Sequence, residues 1–146
     1  PDRSGIAATT FTRLGEMGVN VDIIIQDVRH DGLTDISFTT PMDDVEHITG
    51  TVSEICREIG GEGVEINTHI AKVSLVGAGM KSYPGVAAKM FRTLADAKIN
   101  ISMISTSPIC ISTVVDADEC AHAVQALHTA FGLDSEEEEN NVKVVR

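Results

Sequence analysis

The sequence contains little of what several classes of protein need. Its 146 residues include no tryptophan, one tyrosine and four phenylalanines, which leaves little aromatic surface for stacking on nucleic-acid bases or sugars. Basic residues are half as numerous as acidic ones, 11 against 22, and the net charge of −11 disfavours binding to nucleic-acid phosphates. No apolar run approaches the roughly 18 residues of a membrane-spanning helix, so we predict no contact with a membrane.

Cysteine and histidine are also too sparse to indicate a metal site. The three cysteines, Cys56, Cys110 and Cys120, are odd in number and match no zinc spacing, so we expect reduced thiols and a cytoplasmic protein. His122 and His128 share a predicted helix with Cys120, but the spacing does not bring the three onto one face. We find no convincing catalytic set and predict neither catalytic nor metal-binding residues.

What the sequence does contain is an internal repeat. Residues 4–26 align with residues 84–106 without a gap, at an offset of 80. The apolar matches fall where a hydrophobic core needs them, which indicates duplication of one folding unit. The identical pairs are Gly5/Gly85, Ala7/Ala87, Ala8/Ala88, Phe11/Phe91, Leu14/Leu94, Asn20/Asn100 and Ile24/Ile104.

Hydrophobic periodicity then gives the order of elements in each copy. Copy one is predicted to contain a helix at 6–17, strands at 19–25 and 33–40, a helix that ends at 59 with Asp43 as N-cap, and a strand at 64–66. Copy two is predicted to contain a strand at 72–77, a helix at 84–97, strands at 99–105 and 109–115, a helix at 117–131 and a strand at 142–145.

Copy two therefore reads β-α-β-β-α-β, and copy one lacks only its first strand. This order is typical of the ferredoxin-like α+β fold, an antiparallel four-stranded sheet with two helices on one face. We predict one such domain at 1–70 and another at 71–146. Because the chain begins without methionine, we expect it to be cut from something longer, with the missing strand just upstream of Pro1. The open sheet edges are expected to pair within the tandem and with a second chain.

A glycine-containing turn, Gly77–Ser82, follows a strand and precedes a helix, as a dinucleotide-binding turn does. Ser82 stands where the third glycine is needed, and no acidic residue follows at the spacing of a ribose ligand. A tight turn is the simpler interpretation. A small nucleotide-dependent enzyme remains an alternative that retention on a nucleotide resin would test.

The same loops suggest a different site. Gly5 and Gly85 each stand at the start of a helix, where unpaired N–H groups bind carboxylates. Asn20 and Asn100 begin the strands that follow, and carboxyl and amide groups at Asp2, Asp22 and Gln26 suit an ammonium group or a polar side chain. The combination fits a free amino acid. Alternatively, the glycines are simple turns and each asparagine is a strand-edge residue.

At these positions the sequence resembles the paired ACT domains of aspartate kinases. Residues 1–5 (PDRSG) and 19–26 (VNVDIIIQ) are similar to the first ACT domain. Residues 71–86 (AKVSLVGAGMKSYPGV) and 100–107 (NISMISTS) are similar to the second. Two departures stand out. Pro108 and Cys110 occupy positions after Ser107 where the family has acidic and polar residues, and Ser4 replaces a usual proline.

The resemblance implies a regulatory region or subunit that binds threonine or lysine and feedback-inhibits the phosphorylation of L-aspartate. It implies a homodimer through ACT sheets and a kinase domain or subunit as partner. No cofactor is expected in this chain, since ATP and Mg²⁺ belong to that kinase part. An ACT-repeat protein that controls another partner, such as a regulator of gene expression, is the alternative. The effector contacts implied are Asp2, Gly5, Ile6, Ala7, Asn20, Val21, Asp22 and Gln26, with Ala87, Asn100, Ile101, Thr106 and Ser107 from the second copy.

Overall fold

The structure, a computed structural model, describes residues 1–77, 85–133 and 142–145. It divides into two compact units, Pro1–Thr68 and His69–Arg146, with the division two residues before the boundary predicted from the sequence. Both units combine α-helices with antiparallel strands, so the predicted α+β class is confirmed. Within the described residues, no helix is both long and apolar enough to cross a membrane.

The first unit contains two helices and one hairpin. Its elements are α1 (Ile6–Glu16), β1 (Ile24–Val28), β2 (Thr34–Phe38) and α2 (Met42–Ile59). β1 and β2 pair antiparallel, with Gln26 opposite Ile36 and Ile24 opposite Phe38. Phe38 packs edge-on against Phe11 of α1 at 5.6 Å between ring centroids, so this face of the hairpin is the one turned towards the helices.

Strand β1 begins five residues later than the periodicity predicts. Val19 and Ile23 are buried while Asn20 and Asp22 are exposed, so the predicted alternation is present. The ladder is nevertheless delayed, because the Val19 N–H bonds back to Leu14 of the helix at 3.0 Å and the Ile23 N–H donates to the Thr39 hydroxyl at 3.0 Å. Burial with a period of two therefore does not fix where strand pairing starts.

Two further predictions for the first unit are wrong. α2 begins at Met42 with Pro41 as its N-cap residue, and Asp43 lies in the first turn without capping it. Proline suits a helix start because it has no N–H to leave unsatisfied. The predicted strand at 64–66 is absent, and Val64 and Ile66 are exposed. In the ferredoxin-like order the fourth strand pairs with the first, and the described residues of this unit contain no first strand.

The second unit carries the full antiparallel sheet. Its elements are β3 (Ile70–Gly77), α3 (Val86–Asp96), β4 (Met103–Ser107), β5 (Cys110–Asp116), a 3-10 turn (Ala117–Glu119), α4 (Cys120–Phe131) and β6 (Val142–Val145). The strand order is β4-β5-β3-β6, which is the arrangement of the ferredoxin-like fold. This unit confirms the β-α-β-β-α-β order predicted for copy two.

One of the differences in the second unit repeats a difference in the first. β4 begins at Met103, four residues after the predicted start, since the Ile99 N–H returns to Leu94 at 2.9 Å. The predicted helix at 117–131 opens with the 3-10 turn, because the Asp116 carboxylate accepts the Asp118 N–H at 3.0 Å and caps it. Residue 84, predicted to begin α3, lies outside the described residues.

The two units have cores of unequal size. In the described part of the second unit, a cluster of nine buried residues joins β3 and β5 to both helices. In the first unit the corresponding cluster is Leu14, Val19 and Ile48. The difference follows from the sheets, since the first unit has two described strands to cover its helices and the second has four.

The duplication also appears in the backbone after each first helix. Gly18 has φ 74° and Lys98, its counterpart, has φ 60°. Both N–H groups donate to a helix carbonyl three residues back, at 3.0 Å and 2.9 Å. Glycine adopts this left-handed conformation without strain, whereas lysine has a β-carbon that disfavours it.

We therefore expect Lys98→Gly to stabilise the second unit by about 0.5–1 kcal/mol, because it relieves the left-handed strain. Gly18→Ala, the matched change in the first unit, has open space around the added Cβ and is expected to destabilise by a similar amount. Urea denaturation monitored by amide signals from each unit measures both effects. Destabilisation by Lys98→Gly would contradict the assigned conformation.

Candidate functional site

The first candidate site residues lie at the amino end of α1. Gly5 is the N-cap residue with φ 96° and ψ −11°, a conformation that glycine adopts readily. Since glycine has no side chain, it cannot cap the first-turn N–H groups as serine or aspartate would. The amides of Ile6 and Ala7 therefore give this end of α1 the partial positive charge of an uncapped helix.

The β1–β2 turn lies beside this helix end. The Asp2 N–H donates to the Gly32 carbonyl at 2.9 Å, which holds the segment before α1 against the turn. Ile24, at the start of β1, pairs with the Phe38 that contacts the middle of α1, whereas the hairpin turn contacts the segment before the helix. Gln26 therefore lies between the level of the middle of α1 and the level of its amino end. Gln26 is exposed and lies on the helix-facing side of the hairpin, as its partner Ile36 and the neighbouring pair with Phe38 require.

Asn20, Val21 and Asp22 lie at the opposite end of α1. The Asn20 carbonyl accepts a hydrogen bond from the Thr40 hydroxyl at 3.1 Å, and the Asp22 N–H donates to the Thr39 carbonyl at 3.0 Å. Val21 packs against the core cluster of its unit. An eleven-residue helix is about 16 Å long at 1.5 Å per residue. Within one unit, these three residues therefore lie about a helix length from the helix start.

In the second unit, too, the candidate residues lie at the two ends of the first helix. Gly85, the N-cap residue of α3, has φ 99° and ψ −6°. Ala87, two residues later, is partly buried and packs against the core. Asn100 is exposed and Ile101 packs against the core, both at the carboxyl end of α3. Thr106 is exposed near the end of β4, at the position that corresponds to Gln26.

Ser107 and Pro108 lie where β4 turns into β5. Pro108 and Ile109 form the two-residue turn between these strands, so the proline is outside the ladder, where its missing N–H is harmless. The Ser107 hydroxyl donates to the Cys110 carbonyl and accepts the Ile109 N–H, both at 3.4 Å. The turn therefore engages the Ser107 hydroxyl that the resemblance assigns to an effector.

The glycine-containing turn at 77–82 lies almost wholly outside the described residues. Gly77 ends β3, and its N–H donates to the Ile109 carbonyl at 2.9 Å. The end of β3 is therefore hydrogen-bonded to the β4–β5 turn.

One cluster of ligand-type side chains was not found from the sequence. The His69 Nε2 lies 3.4 Å from Asp116 Oδ1 and 3.2 Å from Asp118 Oδ2. All three side chains are exposed, and we interpret the group as an ion-pair cluster and not as a metal centre, since surface carboxylates pair with imidazoles without an ion. Finding it requires the strand register, which places Ile70 opposite Asp116 across 46 residues of sequence.

The pKa of His69 is raised from its ordinary value of 6.5. The hydrogen bond to Asp118 is the largest cause, followed by the charges of Asp118 and of Asp116. Each stabilises the protonated imidazole.

Comparison with known proteins identifies both units. Residues 1–60 and residues 73–131 each match a family model described as ACT domain. The regulatory subunit of aspartate kinase from Thermus thermophilus superposes with a TM-score of 0.82 at 41% identity, over 90% of this chain and 87% of that one. The chain belongs to the aspartate kinase family, as an ACT-domain regulatory region.

Other relatives agree with this assignment. A structure of aspartokinase alpha and beta subunits matches with a TM-score of 0.84 at 42% identity, over 90% of this chain and 86% of that chain. Aspartokinase of Mycolicibacterium smegmatis is 45% identical over 94% of this regulatory region and 33% of its own length. Aspartate kinase of Pseudomonas putida is 44% identical over 92% and 33%. The chain thus spans about a third of the length of these curated relatives.

Proposed function

We propose that this regulatory region binds a free amino acid, threonine or lysine, and transmits feedback inhibition to an aspartate kinase catalytic domain or subunit. The observation that carries the proposal is the uncapped helix start at Gly5, whose preceding segment is held against the β1–β2 turn by the bond from the Asp2 N–H to Gly32. Backbone N–H groups at a helix start favour the effector carboxylate. The carboxylate of Asp2 and the amide of Gln26 suit its ammonium group and side chain.

The distance between the start of α1 and the residues after its end makes a second copy of the chain part of the proposal. Within one unit, Asn20 and Asp22 lie about a helix length, roughly 16 Å, from the start of α1. A free amino acid is shorter than this separation. If both sets contact one effector, they come from the two copies of a homodimer. In the second unit, the residues proposed as effector contacts are Ala87, Asn100, Ile101 and Thr106, and Ser107 joins them only if its turn opens.

Inhibition follows from linkage between two sites. An effector shifts the kinase towards an inactive state only by binding that state more tightly, and the substrate complex must weaken effector binding by the same factor. The kinase part is proposed to hold ATP, Mg²⁺ and L-aspartate, in the cytoplasm where end-product amino acids accumulate. The role of this chain is to bind the effector and to change shape.

Calorimetry with threonine and with lysine tests the proposal, using the chain joined to its upstream kinase part or mixed with the catalytic subunit. We expect Asp2→Ala to weaken binding about tenfold, since a hydrogen bond to a charged group contributes about 1.5–3 kcal/mol. Gln26→Ala is expected to weaken it about fivefold. Sedimentation of the same samples is expected to show dimers.

Asp27→Ala is the matched control, because Asp27 is exposed on the other face of β1. It should leave the affinity unchanged. If neither amino acid binds the wild-type protein, the sensor function is wrong. If binding occurs and Asp2→Ala and Gln26→Ala bind as tightly as Asp27→Ala, the function survives but the site lies elsewhere.

A further inference from the structure

The chain passes from the first unit into the second at His69, the residue that precedes β3. Its carbonyl accepts the Ala117 N–H at 3.2 Å, one step beyond the last ladder pair between Ile70 and Asp116. This backbone bond therefore joins the start of β3 to the 3-10 turn after β5. The backbone and the side chain of His69 therefore contact the same turn.

The His69 imidazole faces carboxylates from two places. Asp116 ends β5 and Asp118 lies within the 3-10 turn, at 3.4 Å and 3.2 Å from Nε2. The next acidic residue, Glu119, lies instead 3.4 Å from His122 Nδ1. Asp116 is already oriented, because its carboxylate accepts the Asp118 N–H at 3.0 Å. The two carboxylates are therefore held close together, and they repel each other unless a positive charge lies between them.

We propose that His69, Asp116 and Asp118 form a proton-dependent clasp that fastens the junction between the two units to the turn after β5. Protonated His69 attracts both carboxylates and offsets their mutual repulsion. Neutral His69 attracts neither by charge. The junction at Thr68 and His69 is thus held more firmly when His69 carries a proton, so its order depends on pH within the range in which histidine titrates.

The direction of the dependence follows from the pKa of His69, which the folded protein raises above 6.5. A raised pKa means that folding favours the proton. The stabilisation is fully present below pH 6.5 and is lost as the pH rises through the raised folded value. Since the imidazole and both carboxylates are exposed, salt screens the attraction, and the effect is expected to shrink in 1 M NaCl.

Nuclear magnetic resonance of the whole chain tests the clasp. We expect the His69 ring protons to titrate above 6.5 in the wild-type protein and closer to 6.5 in Asp118→Asn. Asp27→Asn removes an exposed carboxylate elsewhere and is expected to leave the midpoint unchanged. These exposed substitutions leave the core intact, and the dispersion of the amide spectrum verifies folding.

A second measurement reports on the junction itself. The amide order parameter of Thr68 is expected to fall as the pH rises from 6 to 8.5 in the wild-type protein, with the same midpoint as the His69 ring. In His69→Gln, which keeps a polar side chain but cannot carry the proton, it should not change over this range. The proposal is overturned if Asp118→Asn leaves the His69 midpoint unmoved, or if Thr68 is equally ordered at both pH values in the wild-type protein.

Discussion

Leu94→Ala is expected to destabilise the second unit by about 3–5 kcal/mol, at the upper end of the cost of such a truncation. Leu94 is fully buried and belongs to the cluster that joins β3 and β5 to α3 and α4. That cluster contains residues from both strands and from both helices. Its neighbours therefore cannot move in to fill the cavity, and a cavity that cannot collapse adds to the lost burial.

Leu14→Ala is the matched change in the first unit, at the same position of the repeat. Leu14 is also fully buried, but its described cluster is smaller and its sheet has two described strands. We expect a loss of about 2–3 kcal/mol, because neighbours with fewer constraints relax further around the cavity. Urea denaturation followed through amide signals of each unit separates the two losses. Equal costs, or a larger cost at Leu14, would contradict the inequality of the two cores.

The sequence was sufficient for the fold because the repeat and the periodicity constrain each other. Leu14 and Leu94 mark the buried stripe of equivalent helices, and burial alternates along 19–23 as predicted. Pairing was harder to predict. Thr39 satisfies the Ile23 N–H with its side chain and so delays β1, and no pattern in a single strand reports what its partner does. The limits of a strand depend on both strands of a pair, whereas hydrophobic periodicity is a property of one strand alone.

The candidate site, too, could be predicted from the sequence only in part. Gly5 is predicted to start a helix, and α1 begins at the next residue. Asn20 and Asp22 are predicted to contribute to the same effector site, but within one unit α1 carries the chain about 16 Å away from Gly5 before they occur. His69 received no role, since its carboxylate partners Asp116 and Asp118 come close only through the β3–β5 register. Contacts between distant segments require the sheet order.

We expect the second large effect at the edge of β2 that pairs with no described strand. In the second unit, β3 lies between β5 and β6 and pairs with both. By the repeat, β2 corresponds to β5 and residues 64–66 correspond to the end of β6, yet the described residues of the first unit supply no strand between them. A copy of residues 70–80 placed directly before Pro1 recreates the offset of the repeat.

We expect this graft to stabilise the first unit by an amount on the order of a few kcal/mol. Burial of the grafted copies of Val73 and Leu75 against the core of Leu14, Val19 and Ile48 outweighs the cost of ordering the strand. Hydrogen exchange should show new protection of amides in β2 and at 64–66. A control graft with proline in place of the Leu75 copy lacks the ladder donor at that point. Equal protection by both grafts would show that no strand is added, because the proline copy cannot complete the ladder.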